Sequence, residues 1–403
     1  MEDGTGARAS HAKAAVAFAV LSLLPAALSG SAPSHASAVL PSISPSDFGA
    51  PTFAGAPPWS TLLFGAFRYD RGLVQGTYVQ FAYDAKSGAV RSILGIAGEN
   101  PVLYVASMQI AEFYPTLAEA RGPIFEAQGY PVSITAHDDP TILLEIRSVT
   151  ARVVTIELPA SAANVSLFST PGSWPASSVS FGVGGDQARF LLGAGSFNVT
   201  GTTIQARMAG SDLLVFKTVP IASAYKAEWR GILDAIRAGQ VVAEVDVVAT
   251  VNGRWVQNSV RYRIDLNASP LVVTPGRAAV QVESTRHRAA IVLIAFDPAT
   301  MPAGEPMRLS VRTNGSEVRR TNDTLNLLYA SHETANVSSY ALLPFPGTVM
   351  ALYLPSFSAF IDITSIRPAP PAPAFDPGSD LATIGALFLV SVAAARMLRR
   401  REE

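Results

Sequence analysis

The sequence predicts a mainly β protein: tandem β-sandwich-like domains with one or two short helices, followed by a single C-terminal transmembrane helix. Three observations carry this expectation. Short runs of alternating apolar and polar residues recur between Gly, Pro and Asn turn signals. One stretch, residues 221–238, has clear helical spacing. A charge-free apolar run from Leu381 to Ala395 sits just before an arginine cluster.

Residues 1–38 read as a signal peptide. Arg8, His11 and Lys13 form a basic start, Ala14 to Leu28 is apolar, and Ala36-Ser37-Ala38 is a small-x-small cleavage site. Residues 39–58, rich in Ser, Pro and Ala, read as a flexible leader.

Residues 59–170 form a first β-rich domain. Thr77 to Tyr83 alternates, Lys86-Ser87-Gly88 turns, and Ala89 to Ile96 returns. Thr141 to Ile146 and Arg152 to Leu158 are further strands, and a helical interruption is expected around Ser107 to Ala120. Residues 171–274 form a second β-rich domain. Its strands are Ser178 to Val183, Ala188 to Leu192, Ser196 to Val199 and Thr203 to Met208, separated by glycines. Its helix over 221–238 places Tyr225, Trp229, Ile232, Leu233 and Ile236 on one face, a core stripe, and ends at Gly239. Val241 to Val251, Asn252-Gly253 and Trp255 to Leu266 then read as a hairpin.

Residues 275–366 form a sandwich-like third domain. Its strands are Ala290 to Phe296, Met307 to Thr313, Val318 onward, Val349 to Leu354 and Ala359 to Ile363, with a tight turn at Asn314-Gly315.

Residues 367–379 alternate proline with small residues and form an extended stalk. Residues 380–398 form the membrane span, with Leu381 and Leu389 in lipid and Arg396 snorkelling at its end. Fifteen residues of helix rise about 22 Å, and continuing to Leu398 gives about 27 Å, close to a membrane core. Residues 399–403 are a basic tail whose Arg399, Arg400 and Arg401 place it inside and all that precedes it outside.

Ten asparagines occur, and six begin an Asn-x-Ser/Thr triplet: Asn164, Asn198, Asn267, Asn314, Asn322 and Asn336. Ser and Thr make up about 16% of the chain, so chance gives about one or two such triplets. All six lie between signal and anchor. Asn267 is the poorest acceptor, because Pro270 follows its Ser269. The three sequons within 314–336 mark a solvent-facing rim, since a glycan is bulky.

The signal peptide, dense sequons, and the ordered trio Pro377-Gly378-Ser379, Leu381 to Ala395 and Arg399 to Arg401 resemble archaeal cell-surface glycoproteins of the S-layer-associated type. The segment Leu352-Tyr353-Leu354-Pro355-Ser356-Phe357-Ser358 looks like the last strand of such ectodomains. The resemblance implies a location and carries no activity. In that family phenylalanine usually follows Pro-Gly where this chain has Ser379, so a retained anchor is expected rather than sortase-like processing. Residues 39–379 hold 24 basic and 26 acidic residues, without the acidic bias of a salt-adapted protein.

Composition narrows the chemistry. There is no cysteine, which excludes disulfides, thiol nucleophiles and cysteine-held metals. Charged residues are 15% of the 403, net charge is −1 and mean hydropathy is +0.27, so there is no basic footprint for nucleic acid. The ectodomain has three histidines: His137, His287 and His332. His137-Asp138-Asp139 reads as a solvated turn, and His332-Glu333 lacks a second histidine at helical spacing. Gly182-Val183-Gly184-Gly185-Asp186 lies in strand context, without the Lys-Ser/Thr of a phosphate loop. Arg319-Arg320 and Arg286-x-Arg288 read as solvated strand faces.

The expectation is a non-enzymatic surface protein without cofactor or metal, structural, adhesive or envelope-contacting in role. Its partners are the lipid bilayer and other surface proteins or glycans, and not nucleic acid. The alternative is a ligand- or glycan-binding module with a concavity lined by Trp59, Trp174, Trp229 or Trp255. A hydrolase using carboxylates that sequence cannot pair is a third reading.

Overall fold

The computed structural model describes residues 65–97, 100–170, 173–219, 226–251, 254–286, 288–296, 301, 309–329, 337–343 and 348–366. The expected signal peptide, leader, stalk, span and tail, together with Asn336, Trp59, His287 and His332, lie outside them. Among the described residues no helix is long and apolar enough to cross a membrane.

The fold is mainly β. The first part of the chain runs through β1 (Arg68–Asp70), β2 (Leu73–Gln75), β3 (Val79–Tyr83), β4 (Val90–Ala97), β5 (Asn100–Ile110), β6 (Leu117–Arg121), β7 (Ile124–Gly129) and β8 (Val132–His137). It continues with β9 (Leu143–Ser148), β10 (Arg152–Glu157), β11 (Ala163–Ser169), β12 (Ser177–Val183), β13 (Asp186–Leu192), β14 (Ser196–Thr200), β15 (Thr203–Met208) and β16 (Asp212–Thr218). They form two eight-stranded sheets. Sheet A has the order β1-β2-β3-β4-β5-β10-β15-β14, and sheet B the order β11-β12-β13-β16-β9-β8-β7-β6. One core lies between them, with Phe81, Phe125, Phe190 and Phe216 fully buried.

The second part holds α1 (Lys226–Arg237), β17 (Val241–Val251), β18 (Arg254–Arg261), β19 (Leu266–Thr274), β20 (Arg277–Ser284), β21 (Ala290–Phe296) and β22 (Leu309–Thr313). It closes with β23 (Ser316–Glu317), β24 (Arg319–Arg320), α2 (Thr324–Tyr329), β25 (Ser339–Leu343), β26 (Thr348–Leu354) and β27 (Ala359–Ser365). Sheet C has the order β18-β17-β21-β26-β25-β24, and sheet D the order β19-β20-β27-β22-β23. A second core separates C from D, with Val245, Val280, Ile294 and Ile361 buried.

A third apolar cluster joins the two sandwiches. The outer face of sheet B supplies Leu143, Leu191, Leu213 and Val215, and sheet C supplies Ile291, Leu293 and Tyr353. Ile232 and Ile236 of α1 pack into the same cluster with Trp229 against it, and Leu233 is buried, so this part of the helical stripe is core, while Tyr225 lies outside the described residues. Sheets covered on both faces have strands buried throughout, as β16 and β21 are. Gly239 ends α1 with φ +72°, and a Cβ there would lie 2.3 Å from the Trp174 carbonyl oxygen. Glycine alone meets both demands.

Local signals match well. Asn314 and Gly315 both have positive φ, 50° and 82°, in the turn joining β22 to β23. Other expectations are corrected. No helix interrupts the first region: β5 extends through Ile110, and β6 begins at Leu117. β5 pairs with β4 on one side and β10 on the other, so the ladder satisfies its backbone better than an isolated helix broken by Pro115. The pairing also does not divide at residue 170. β10 pairs with β15, and β9 with β16, because each needs a neighbour that only the later segment supplies. β17 to β19 belong to the second sandwich. The segment Leu352–Leu354 lies in β26, between β21 and β25, and β27 follows it.

Candidate functional site: a sealed ionic network between the sandwiches

A cluster of buried titratable side chains sits where sheet B faces sheet C. Strand alternation puts it there. On β16 the residues Leu213, Val215 and Lys217 point outward from the first core, while Leu214 and Phe216 point in. On β17, Val245 and Val247 enter the second core, so Glu244 and Asp246 share the opposite face. The loop after β8 adds Asp138 and Asp139, and β9 adds Glu145 and Arg147.

Lys217 is 1% exposed. Its Nζ donates to Thr141 Oγ1 at 2.8 Å and to Glu244 Oε2 at 2.9 Å. The Tyr262 hydroxyl donates to the same Glu244 oxygen at 2.8 Å. Burial opposes the charge on Lys217, but the Glu244 and Asp139 carboxylates outweigh it and hold its pKa above the ordinary value. Burial likewise opposes the Glu244 charge, and Lys217 and Tyr262 outweigh it, so Glu244 stays below the usual carboxylate range. Asp246 is raised well above that range, by burial and by the Glu244 charge.

His137 is buried at the end of β8 and is not in a solvated turn. Its Nδ1 lies 2.6 Å from Asn258 Oδ1, and Asn258 Nδ2 donates to Asp246 Oδ2 at 3.3 Å. His137 Nε2 faces Glu145 Oε1 at 3.5 Å. Arg147 donates twice to Glu145 Oε2, from Nε at 3.1 Å and Nη2 at 2.5 Å. Burial opposes the Glu145 charge, and His137 and Arg147 outweigh it, so its pKa lies below the usual range.

Asp138 works inside the first sandwich. Its Oδ2 accepts from the Thr77 N–H at 2.7 Å, and its Oδ1 from the Tyr78 and Val79 N–H groups at 2.7 and 3.1 Å. This ties the turn before β3 in sheet A to the end of β8 in sheet B. A Cβ at Gly76 would lie 2.4 Å from Asp138 Cγ, so glycine is required for the carboxylate to enter. Burial is stronger than the three N–H groups, and the Asp138 pKa is pushed up to about 7.

Arg189 anchors the helix beside this network. It is 2% exposed, and it donates from Nη1 to the Leu233 carbonyl at 2.7 Å, from Nη2 to Asp234 Oδ1 at 2.9 Å and from Nε to Ser180 Oγ at 2.7 Å. The network's two buried ion pairs, Lys217–Glu244 and Arg147–Glu145, act as an electrostatic lock. Among the described residues no group of three or more His, Asp or Glu could hold a metal ion.

Solvent reaches a groove of about 600 Å³ on sheet B. Ser161, Asn164, Ser166, Phe181, Gln187 and Arg230 are among its walls. Trp174 and Trp229 pack against the cluster between the sandwiches and do not line it. The structure exposes every described sequon asparagine: Asn164 on β11, Asn198 on β14, Asn267 on β19, Asn314 in the β22–β23 turn and Asn322 before α2. Arg319 and Arg320 are exposed, as expected.

Sequence reasoning missed the lock. The signals were present: two carboxylates two apart in the apolar strand Val241–Val251, and one lysine inside the apolar strand Asp212–Thr218. Neither reveals that the two strands meet.

No known family model and no curated protein matches the chain. Among solved structures it is similar to a glycoside hydrolase family 81 protein from Clostridium thermocellum, at 11% identity and TM-score 0.26, over 81% of this chain and 39% of that one. A YidC insertase aligns at 8% identity and TM-score 0.25, over 44% of this chain and 47% of that one. The chain thus spans less than half the length of either, and likenesses at these scores carry no argument about fold or function.

Proposed function

We propose that this chain is a membrane-anchored, N-glycosylated surface protein whose stacked sandwiches have a structural or adhesive role at the cell envelope. The observation that carries the reading is the exposure of all five described sequon asparagines, as a bulky sugar requires. The apolar run before Arg399-Arg400-Arg401 supports the anchor. The burial and pairing of the carboxylate cluster support a structural role for it and not a catalytic one.

Intact-mass measurement and carbonate extraction of the native protein test the proposal together. A mass above the sequence value by several glycans, with the protein held in the membrane pellet, is expected. An unmodified protein released entirely by carbonate would refute it.

A further inference from the structure

Among the described residues each sheet has two end strands paired on one side only, and an unpaired strand edge invites pairing with another chain. The ends here are β1 and β14 in sheet A, β11 and β6 in sheet B, β18 and β24 in sheet C, and β19 and β23 in sheet D. Three of the five described sequon asparagines lie in end strands, and the other two lie in the turns beside β23 and β24. Asn164 lies in β11, Asn198 in β14 and Asn267 in β19. Asn314 sits in the turn entering β23, and Asn322 lies two residues past β24. None lies within a central strand.

The placement follows need. β11 and β19 are seven and nine residues long and expose apolar side chains: Leu167 and Phe168 on β11, Leu271 and Val272 on β19. Three ends, β1, β6 and β18, carry no sequon, and two of them are guarded by other means. β1 is three residues long, with Arg68 and Asp70 exposed, and β6 carries a Glu119–Arg121 ion pair.

We propose that the sugars at Asn164, Asn198, Asn267, Asn314 and Asn322 block strand addition at the sheet ends. This rests on the glycoprotein reading above. Attachment forms a bond from Nδ2 to the anomeric carbon of a phosphate-activated sugar; Nδ2 loses one proton and the phosphate carrier leaves. Two asparagines show geometry suited to this. Asn314 Oδ1 accepts from the Phe360 N–H at 2.8 Å, while Nδ2 has only a 3.5 Å contact to the Ser358 carbonyl. Asn164 stands in a bulge, between the pairs Ala163–Gly182 and Ser166–Ser180, with φ +54°. The bulge interrupts the ladder and presents the side chain beside Ser166, Gln187 and Arg230.

The test uses the full chain in detergent, made in a host that glycosylates Asn-x-Ser/Thr. Light scattering is run on the native protein and on a variant with all five asparagines changed to Gln, with circular dichroism as the folding control. The native protein should be modified and monodisperse, and the folded variant should gain two-fold or more in average mass. Adding Leu167→Lys and Leu271→Lys to that variant should restore the native particle size, because charge guards an edge as sugar does. If the combined variant does not fold, the single variants Asn164→Gln and Asn267→Gln are read instead, with the same expected association. A modified native protein whose folded Gln variants keep their size overturns the edge role and leaves the glycoprotein reading intact. Association that the lysines do not reverse also overturns it. An unmodified native mass removes both.

Discussion

Lys217 and Glu244 form a 2.9 Å ion pair across the seam between the two sandwiches, with both side chains almost closed to water. Lys217 comes from sheet B and Glu244 from sheet C, so the pair fixes one sandwich against the other. A buried charge whose partner is removed keeps its desolvation penalty and loses its compensation.

Lys217→Met should therefore destabilise the protein by about 3–5 kcal/mol, since it strands Glu244 beside Asp139. Lys217→Met combined with Glu244→Gln should recover much of that loss. Denaturant midpoints of the single and double variants form the cycle. Additive losses would show that the pair does not couple.

Asp138 gives the stability a defined dependence on pH. Its carboxyl is raised to about 7 in the folded protein, against the ordinary range when unfolded. The folded state thus holds a proton that the unfolded chain releases, and this group's contribution falls as pH rises from about 4 to about 7. Asp138→Asn should remove that slope, which amounts to about 4 kcal/mol across the window. Denaturation of both proteins at pH 4.5, 6 and 7.5 measures the difference. Parallel profiles would contradict it.

Gly76 makes room for the same carboxylate. Gly76→Ala should cost about 1–3 kcal/mol, because its Cβ meets Asp138 Cγ at 2.4 Å and the turn before β3 must move. Gly182→Ala is the control. Its nearest neighbour would be the Asp186 carbonyl at 3.6 Å, an ordinary contact, and its change should stay within about 0.5 kcal/mol. Thermal unfolding of the two variants ranks them.

Arg189 should hold α1 in place. Arg189→Leu removes three donors at once, and about 2–3 kcal/mol of stability should go with them. Hydrogen exchange locates the effect. Amides of residues 229–237 should exchange faster than in the parent, while those of β20 and β27 should not. Uniform acceleration would mean that the helix is not held locally.

Much of the local structure was legible in the sequence. The paired strands around Asn314-Gly315, the helix ending at Gly239 and the strand Ala290–Phe296 each follow from residues next to one another. Period-two alternation and turn chemistry act over a few residues, so a linear reading reaches them. The segment Ser107 to Ala120 misled because its apolar spacing fits either period, and Pro115 breaks a strand as readily as a helix.

Sequence alone determined the strand-rich class, the turns, the sequons and the apolar and basic segment at the C-terminus. Tertiary structure decided which strands meet: β10 with β15, β9 with β16, and sheet B with sheet C. It therefore decided that His137-Asp138-Asp139 is buried, that Lys217 finds Glu244 27 residues on, and that Asn164, Asn198 and Asn267 fall in end strands. The physical reason is that a charged side chain reads the same in sequence whether it faces water or a partner. Only the long-range pairing of strands sets its dielectric surroundings, and with them its charge, its contribution to stability and its role.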